Sequence, residues 1–211
     1  MIYAHFRRLT TLVLGLFLTV AAGCASSPAS RFYTLSPLEN PQPAASASSQ
    51  AERIIVAVGP VAIPEDMDRP QIVTRTGRNE VMVNEFDRWS GPLEDDISRV
   101  LTENLSSSLP ADLFRVVRWA PSVQAHLQIQ YRVTIDVMRI ELSHAGPVSL
   151  RAQWTVVNEE TKSLVMVREA NISEPSGGRD FAGMVAALSR VLATLSRDIG
   201  VAIGELDTDK R

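Results

Sequence analysis

A single α/β domain, a sandwich of a mixed β-sheet and two main amphipathic helices, is the fold class this sequence predicts. Three observations lead to it. Segments with period-two alternation and β-branched content recur between residues 54 and 172. Two further segments carry apolar residues at three- and four-residue spacing, so each helix has one face to bury. The order β-ββ-α-β-β-β-β-α, with no internal repeat, lets both helices cover a sheet. With 211 residues, 45% of them apolar and 21% charged, the chain can fill the core of one ordinary domain and still carry appendages.

The elements follow in order. Ile54 to Val58 is a β-branched run ended by Gly59-Pro60, and the proline-punctuated stretch "AIPEDMDRP" after it reads as a loop. Gln71–Arg75 and Glu80–Phe86 flank Thr76-Gly77-Arg78-Asn79 and predict a β-hairpin. Ser90 is placed to cap a helix, Pro92 suits its first turn, and Glu94, Asp95 and Asp96 complement its dipole. Leu93, Ile97, Val100, Leu101, Leu105 and Leu109 form its stripe, and Pro110 closes it. Phe114 to Trp119 is a short strand and His126 to Leu142 a long one. In the latter the alternation of Leu127 through Val137 reverses phase at Met138, Ile140 and Leu142, which demands a bulge near Val137-Met138. Val148 to Val156 and Leu164 to Ile172 alternate about the polar turn "NEETKS". A last helix runs from an Asp180 cap through Phe181, Met184, Leu188, Leu192, Leu195, Ile199 and Leu206.

Ahead of this body lies an address. Arg7 and Arg8 precede an apolar run from Leu9 to Val20; about a dozen residues is the length of a signal-peptide core, and too short for a membrane span. Ala21-Ala22-Gly23 places small residues directly before Cys24, the one cysteine of the chain. The stretch resembles the lipobox of bacterial lipoproteins, with Ala21 where leucine is usual. Cleavage between Gly23 and Cys24 and acylation of Cys24 are therefore expected. Two or three acyl chains on one residue would anchor the protein stably. Ala25 follows the cysteine rather than an aspartate, which by analogy with enteric-type sorting points to an outer membrane and a body facing the periplasm. The expected organisation is a signal peptide at 1–23, a tether rich in alanine, serine and proline at 24–52, a folded domain at 53–206 and a polar tail at 207–211. Within the tether, Arg31 to Leu35 has strand composition and is placed to add as an edge strand. Fully extended, residues 25–52 would span roughly 90 Å.

Composition removes several function classes. Loss of residues 1–23 takes away Arg7 and Arg8 and no acid, lowering the formal charge from −3 to −5. An acidic chain without a basic run is unsuited to nucleic acid, or to adhering to anionic lipid by charge. One cysteine excludes an internal disulfide and any multi-cysteine zinc site. His126 and His144 stand alone, no nucleophile motif or phosphate-binding loop occurs, and the consecutive acids 94–96 point in different directions on a helix. No catalytic residue, metal or cofactor is expected, and the three tryptophans read as packing residues.

The segments "VAVGPVAIPEDMDRPQIVTR" and "NEFDRWSGPLEDDISRVLTENL" resemble the ABC-type transport auxiliary lipoprotein family, whose PqiC-like branch is associated with MCE-domain lipid transport. The shared residues include Pro64, Asp68, Arg69, Pro70, Gln71, Arg75, Arg88, Trp89 and Pro92, with Asp66, Met67 and Gly91 departing from the usual pattern. The resemblance implies a fold similar to the N-terminal domain of TolB-like proteins. It also implies a non-enzymatic outer-membrane lipoprotein working with a periplasmic MCE-domain protein and an inner-membrane permease to move lipid or another hydrophobic solute. A homo-oligomer is expected, since such partners form rings. The shared loop and helix start would then be either structural, with Arg69 and Arg88 serving backbone carbonyls above Trp89, or a partner contact. An alternative reading is a lipoprotein that regulates a cell-wall synthase, or another envelope-maintenance adaptor.

Overall fold

The strands divide between two sheets instead of filling the one sheet that their order suggested. The computed structural model describes residues 28–37, 53–178 and 180–208; Gly23, Cys24, the predicted signal segment and residues 38–52 lie outside the described residues. In chain order the strands are β1 (Arg31–Tyr33), β2 (Ile54–Ala62), β3 (Gln71–Gly77), β4 (Glu80–Trp89), β5 (Phe114–Arg118), β6 (Tyr131–Glu141), β7 (Val148–Asn158) and β8 (Ser163–Glu174). The helices are α1 (Leu93–Ser108), α2 (Pro121–His126) and α3 (Phe181–Thr208). From Arg31 onward they belong to one compact unit.

The larger sheet has the order β5-β2-β6-β7-β8; β2 runs parallel to β5 and β6, and the remaining pairs are antiparallel. Central β2 buries Val56, Ala57 and Val58 in succession, as a strand flanked by parallel neighbours does. On β7 the alternation is clean: Val148, Leu150, Ala152, Trp154 and Val156 are buried and pack with α3 residues Leu188, Leu192, Leu195 and Ile199. The α1 stripe of Ile97, Leu101 and Leu105 joins the same core. Each such leucine or isoleucine stabilises the fold by about 1.5–3 kcal/mol relative to an exposed one.

The smaller sheet, in the order β1-β4-β3, exists because Pro64 and Pro70 offer no N–H to a ladder. The chain leaves the larger sheet after Ala62, and the hairpin then pairs locally. Its seam with the larger sheet is the Arg75 N–H, which donates to the Leu142 carbonyl at 2.7 Å.

Three local expectations meet different outcomes. The phase reversal in β6 is a bulge: the register with β7 shifts between Val137 and Arg139, Met138 is turned out to solvent, and Ile140 and Leu142 return to the core. The strand expected from His126 begins only at Tyr131, because Pro121 opens the short helix α2 and His126 ends it. Gln130 bridges the gap, its side-chain carbonyl accepting the Ile55 N–H at 2.6 Å and its own N–H donating to the Ile55 carbonyl at 3.0 Å. At α1 the cap position is Pro92 rather than Ser90, and no side chain caps it. Asp180 does cap α3, its Oδ1 accepting the Gly183 N–H at 2.9 Å. A β-carbon on Gly183 would sit 2.8 Å from that oxygen and 2.9 Å from the Ser176 carbonyl, so this turn requires glycine.

Candidate functional site

The shared loop begins as a turn: the Met67 N–H donates to the Pro64 carbonyl at 2.9 Å, and Met67 itself is buried. Chain reversal brings the Pro70 carbonyl onto the Trp89 N–H at 2.7 Å, and Gln71 stands opposite Arg88 in the β3–β4 register. Trp89 is 4% exposed and forms the floor of a cleft of about 330 Å³, walled by Asp68, Arg69, Pro70, Ser90, Gly91, Pro92 and Leu93. Asp68, Arg69, Pro70, Trp89 and Pro92, scattered over 25 positions of sequence, therefore share one site.

The other singled-out residues fall elsewhere. Pro64 starts the loop but does not line the cleft. Arg75 works at the far end of the hairpin, donating to the Arg78 carbonyl at 3.1 Å and lying 2.9 Å from Glu141, an ion pair too bent for a hydrogen bond. Arg88 lies half-buried with no hydrogen-bond partner for its Nε among the described residues. It does not pair with its neighbour Asp87, because adjacent strand residues face opposite ways. The exposed Arg69 donates its backbone N–H to Met67, and no described residue engages its guanidinium.

Asp87 instead ties β1 to the body. It is 6% exposed, accepts the Tyr33 hydroxyl at 2.9 Å and pairs with Arg31 at 2.9 Å. Burial, and then the Asp87 hydrogen bond, push the Tyr33 phenol above its ordinary value, while Asp87 raises the Arg31 guanidinium further. Asp96 holds the next residues, accepting the Leu35 N–H at 2.6 Å and the Thr34 hydroxyl at 3.1 Å. Arg99 pairs with Asp96 and donates to the Leu35 carbonyl at 2.8 Å. Leu35 is thereby sunk to 1% exposure. Dipole complementation accounts for the first-turn acids of α1 only in part; Asp95 pairs with Arg118, and Asp96 receives a distant segment.

Residues 31–37 are thus part of the folded body, and the extended reach allowed for them is not available. A second cleft, of about 590 Å³, opens between Tyr33, Thr34, Ser36 and Pro37 on one side and Val185, Ala186, Ser189 and Ala193 of α3 on the other. His144 packs edge-on against Phe181 with ring centroids 5.1 Å apart, and His126 is exposed at the end of α2.

The fold defines a class: mixed α/β domains, here with the N-terminal segment from Arg31 packed into the body. Among solved structures, one of an uncharacterised protein matches with a TM-score of 0.65 and 18% identity, covering 83% of this chain and 99% of its own. A Xanthomonas campestris protein of the DUF330 family matches with a TM-score of 0.65 and 19% identity, covering 85% and 99%. A dodecameric PelC from Paraburkholderia phytofirmans is more distant, with a TM-score of 0.41 and 11% identity over 69% and 82%. No curated protein matches the chain significantly in sequence. The chain belongs to the family described as the ABC-type transport auxiliary lipoprotein component, whose profile matches residues 33–200. Its role is that of an auxiliary transport component of the cell envelope.

Proposed function

We propose that this protein is an outer-membrane lipoprotein, acylated at Cys24 and facing the periplasm, that serves as a non-enzymatic adaptor in an MCE-type system moving lipid or another hydrophobic solute between membranes. The observation that carries this reading is the reach of the family match. It starts at Tyr33, inside the docked segment, and takes in the cleft over Trp89 and most of α3. The matched region is the whole architecture rather than a motif placed on another fold. The cleft suits docking: a floor of buried indole, with exposed Asp68 and Arg69 at its rim. Strand β8, twelve residues long at the edge of the larger sheet with Leu164 and Val167 exposed, offers an edge suited to a homo-oligomer.

Affinity purification of the acylated protein from membranes, with the MCE-domain protein as the readout, tests the adaptor role. Co-purification that is lost in Arg69→Ala is the expected result. Recovery of a cell-wall synthase and no MCE-domain protein would replace this reading with the alternative. Density fractionation of the envelope checks the membrane, and light scattering of the purified protein checks the oligomer.

A further inference from the structure

The outer half of β4 is bare. Strand β1 covers only Asp87 to Trp89, so from Glu80 to Phe86 no described strand pairs with that edge of β4. Along this stretch Val81, Met82 and Val83 are exposed in succession at 47%, 52% and 36%, which puts apolar side chains on both faces of the strand. Phe86 is 40% exposed, and Phe32, opposite Arg88 on β1, is 64% exposed. On β3, by contrast, Ile72, Val73 and Thr74 are all buried. The β4 half of the hairpin is therefore a strand with apolar side chains on both faces and one open edge, bracketed by the exposed Glu80 and Glu85, while β3 holds it to the body.

We propose that this strand is a membrane-contact device that seats the body on the lipid surface carrying the protein's own anchor. The proposal rests on the acylation of Cys24 in the reading above. Strand β1 runs parallel to β4 with Arg31 opposite Asp87, so the chain joins β1 from the hairpin side of the small sheet. Arg31 follows Cys24 by seven positions, a covalent reach of at most about 25 Å. The strand from Asp87 back to Glu80 is of similar length, about 23 Å. An anchored chain thus keeps the hairpin within range of the bilayer at all times. A face that is apolar on both sides suits immersion in a fluid better than a flat protein interface. Its open backbone edge confines it to the headgroup boundary, where water still reaches N–H and C=O groups, about 5–10 Å deep. The acidic body makes the contact apolar rather than electrostatic.

The test uses full-length acylated protein purified from membranes. Acylation occupies the Cys24 sulfur, so Met82→Cys supplies one free thiol for a polarity-sensitive dye; Thr161→Cys in the β7–β8 turn is the control. The protein is bound to vesicles of phosphatidylethanolamine with a minority of phosphatidylglycerol, some lipids carrying a nitroxide on the acyl chain. At position 82 the emission should shift to the blue and be mostly quenched, unchanged by high salt, and at position 161 neither should happen. Bound protein whose label at 82 stays as wet as that at 161 overturns the proposal and leaves the anchor intact. A blue shift without nitroxide quenching that grows with protein concentration would overturn it in favour of a second copy of the chain. Unmodified Cys24 by mass spectrometry, with no vesicle binding, would overturn the anchor and this proposal together.

Discussion

The Tyr33 hydroxyl donates to the Asp87 carboxylate at 2.9 Å, across 54 positions of sequence, and this contact makes a stretch that reads as linker into part of the fold. A buried carboxylate accepting from a phenol and a guanidinium is costly to leave half-satisfied. Tyr33→Phe should cost about 1 kcal/mol and Asp87→Ala about 1–3 kcal/mol, read from urea midpoints. Because the Tyr33 phenol is raised above its ordinary value of 10.0, its stabilisation is full below that pH and is lost as pH rises through the folded value. Hydrogen exchange at residues 31–35 should accelerate on that alkaline limb in wild type and show no such step in Tyr33→Phe.

Leu35 and Phe32 make an internal control for the same segment. Leu35 is 1% exposed, and Leu35→Ala should destabilise by about 2–5 kcal/mol through lost burial and the cavity left behind. Phe32→Ser, at 64% exposure, should stay within about 0.5 kcal/mol of wild type. Equal melting of the two variants would mean that β1 is not docked in solution.

Glu159 predicts the acid limb. It is 7% exposed and pairs with Lys162 and Arg132, while Gln124 approaches at 3.4 Å. The Lys162 hydrogen bond, aided by Arg132 and opposed by burial, holds its carboxyl below the ordinary 4.5. The stabilisation is present above that value and fades as pH falls through the folded one. Glu159→Gln should lower stability at neutral pH and flatten its decline in acid; an unchanged acid slope in the variant would refute the assignment.

The cleft over Trp89 separates structure from docking. Trp89→Ala should cost about 3–5 kcal/mol, because the indole is both cleft floor and core. Arg69→Ala should melt like wild type, its guanidinium having no described partner, and yet weaken capture of the transport partner. A large drop in melting temperature for Arg69→Ala would assign that residue to the fold instead.

Cys24→Ala should abolish incorporation of labelled palmitate and leave an uncleaved precursor. Undiminished labelling of the variant would rule out Cys24 as the acylated residue.

The sequence by itself determined the kind and order of nearly every element, the bulge at Met138, the Asp180 cap and the apolar stripes of α1 and α3. Those features obey periods of two and 3.6 residues and caps of three, distances over which a chain's neighbours in space are its neighbours in sequence. Pro121 escaped that reading, since alternation beyond His126 masked a proline that opens one helical turn. The tertiary structure alone decided how the strands divide into two sheets, that Asp87 serves Arg31 rather than Arg88, and that Asp96 clasps Leu35. It also gathered Asp68, Arg69, Trp89 and Pro92 around one cleft. Each of these joins residues from separate segments, as across the 61 positions between Leu35 and Asp96. No local period encodes which of many exposed-looking polar groups will be buried together. That choice is made when the apolar faces close and every buried donor and acceptor must find a partner.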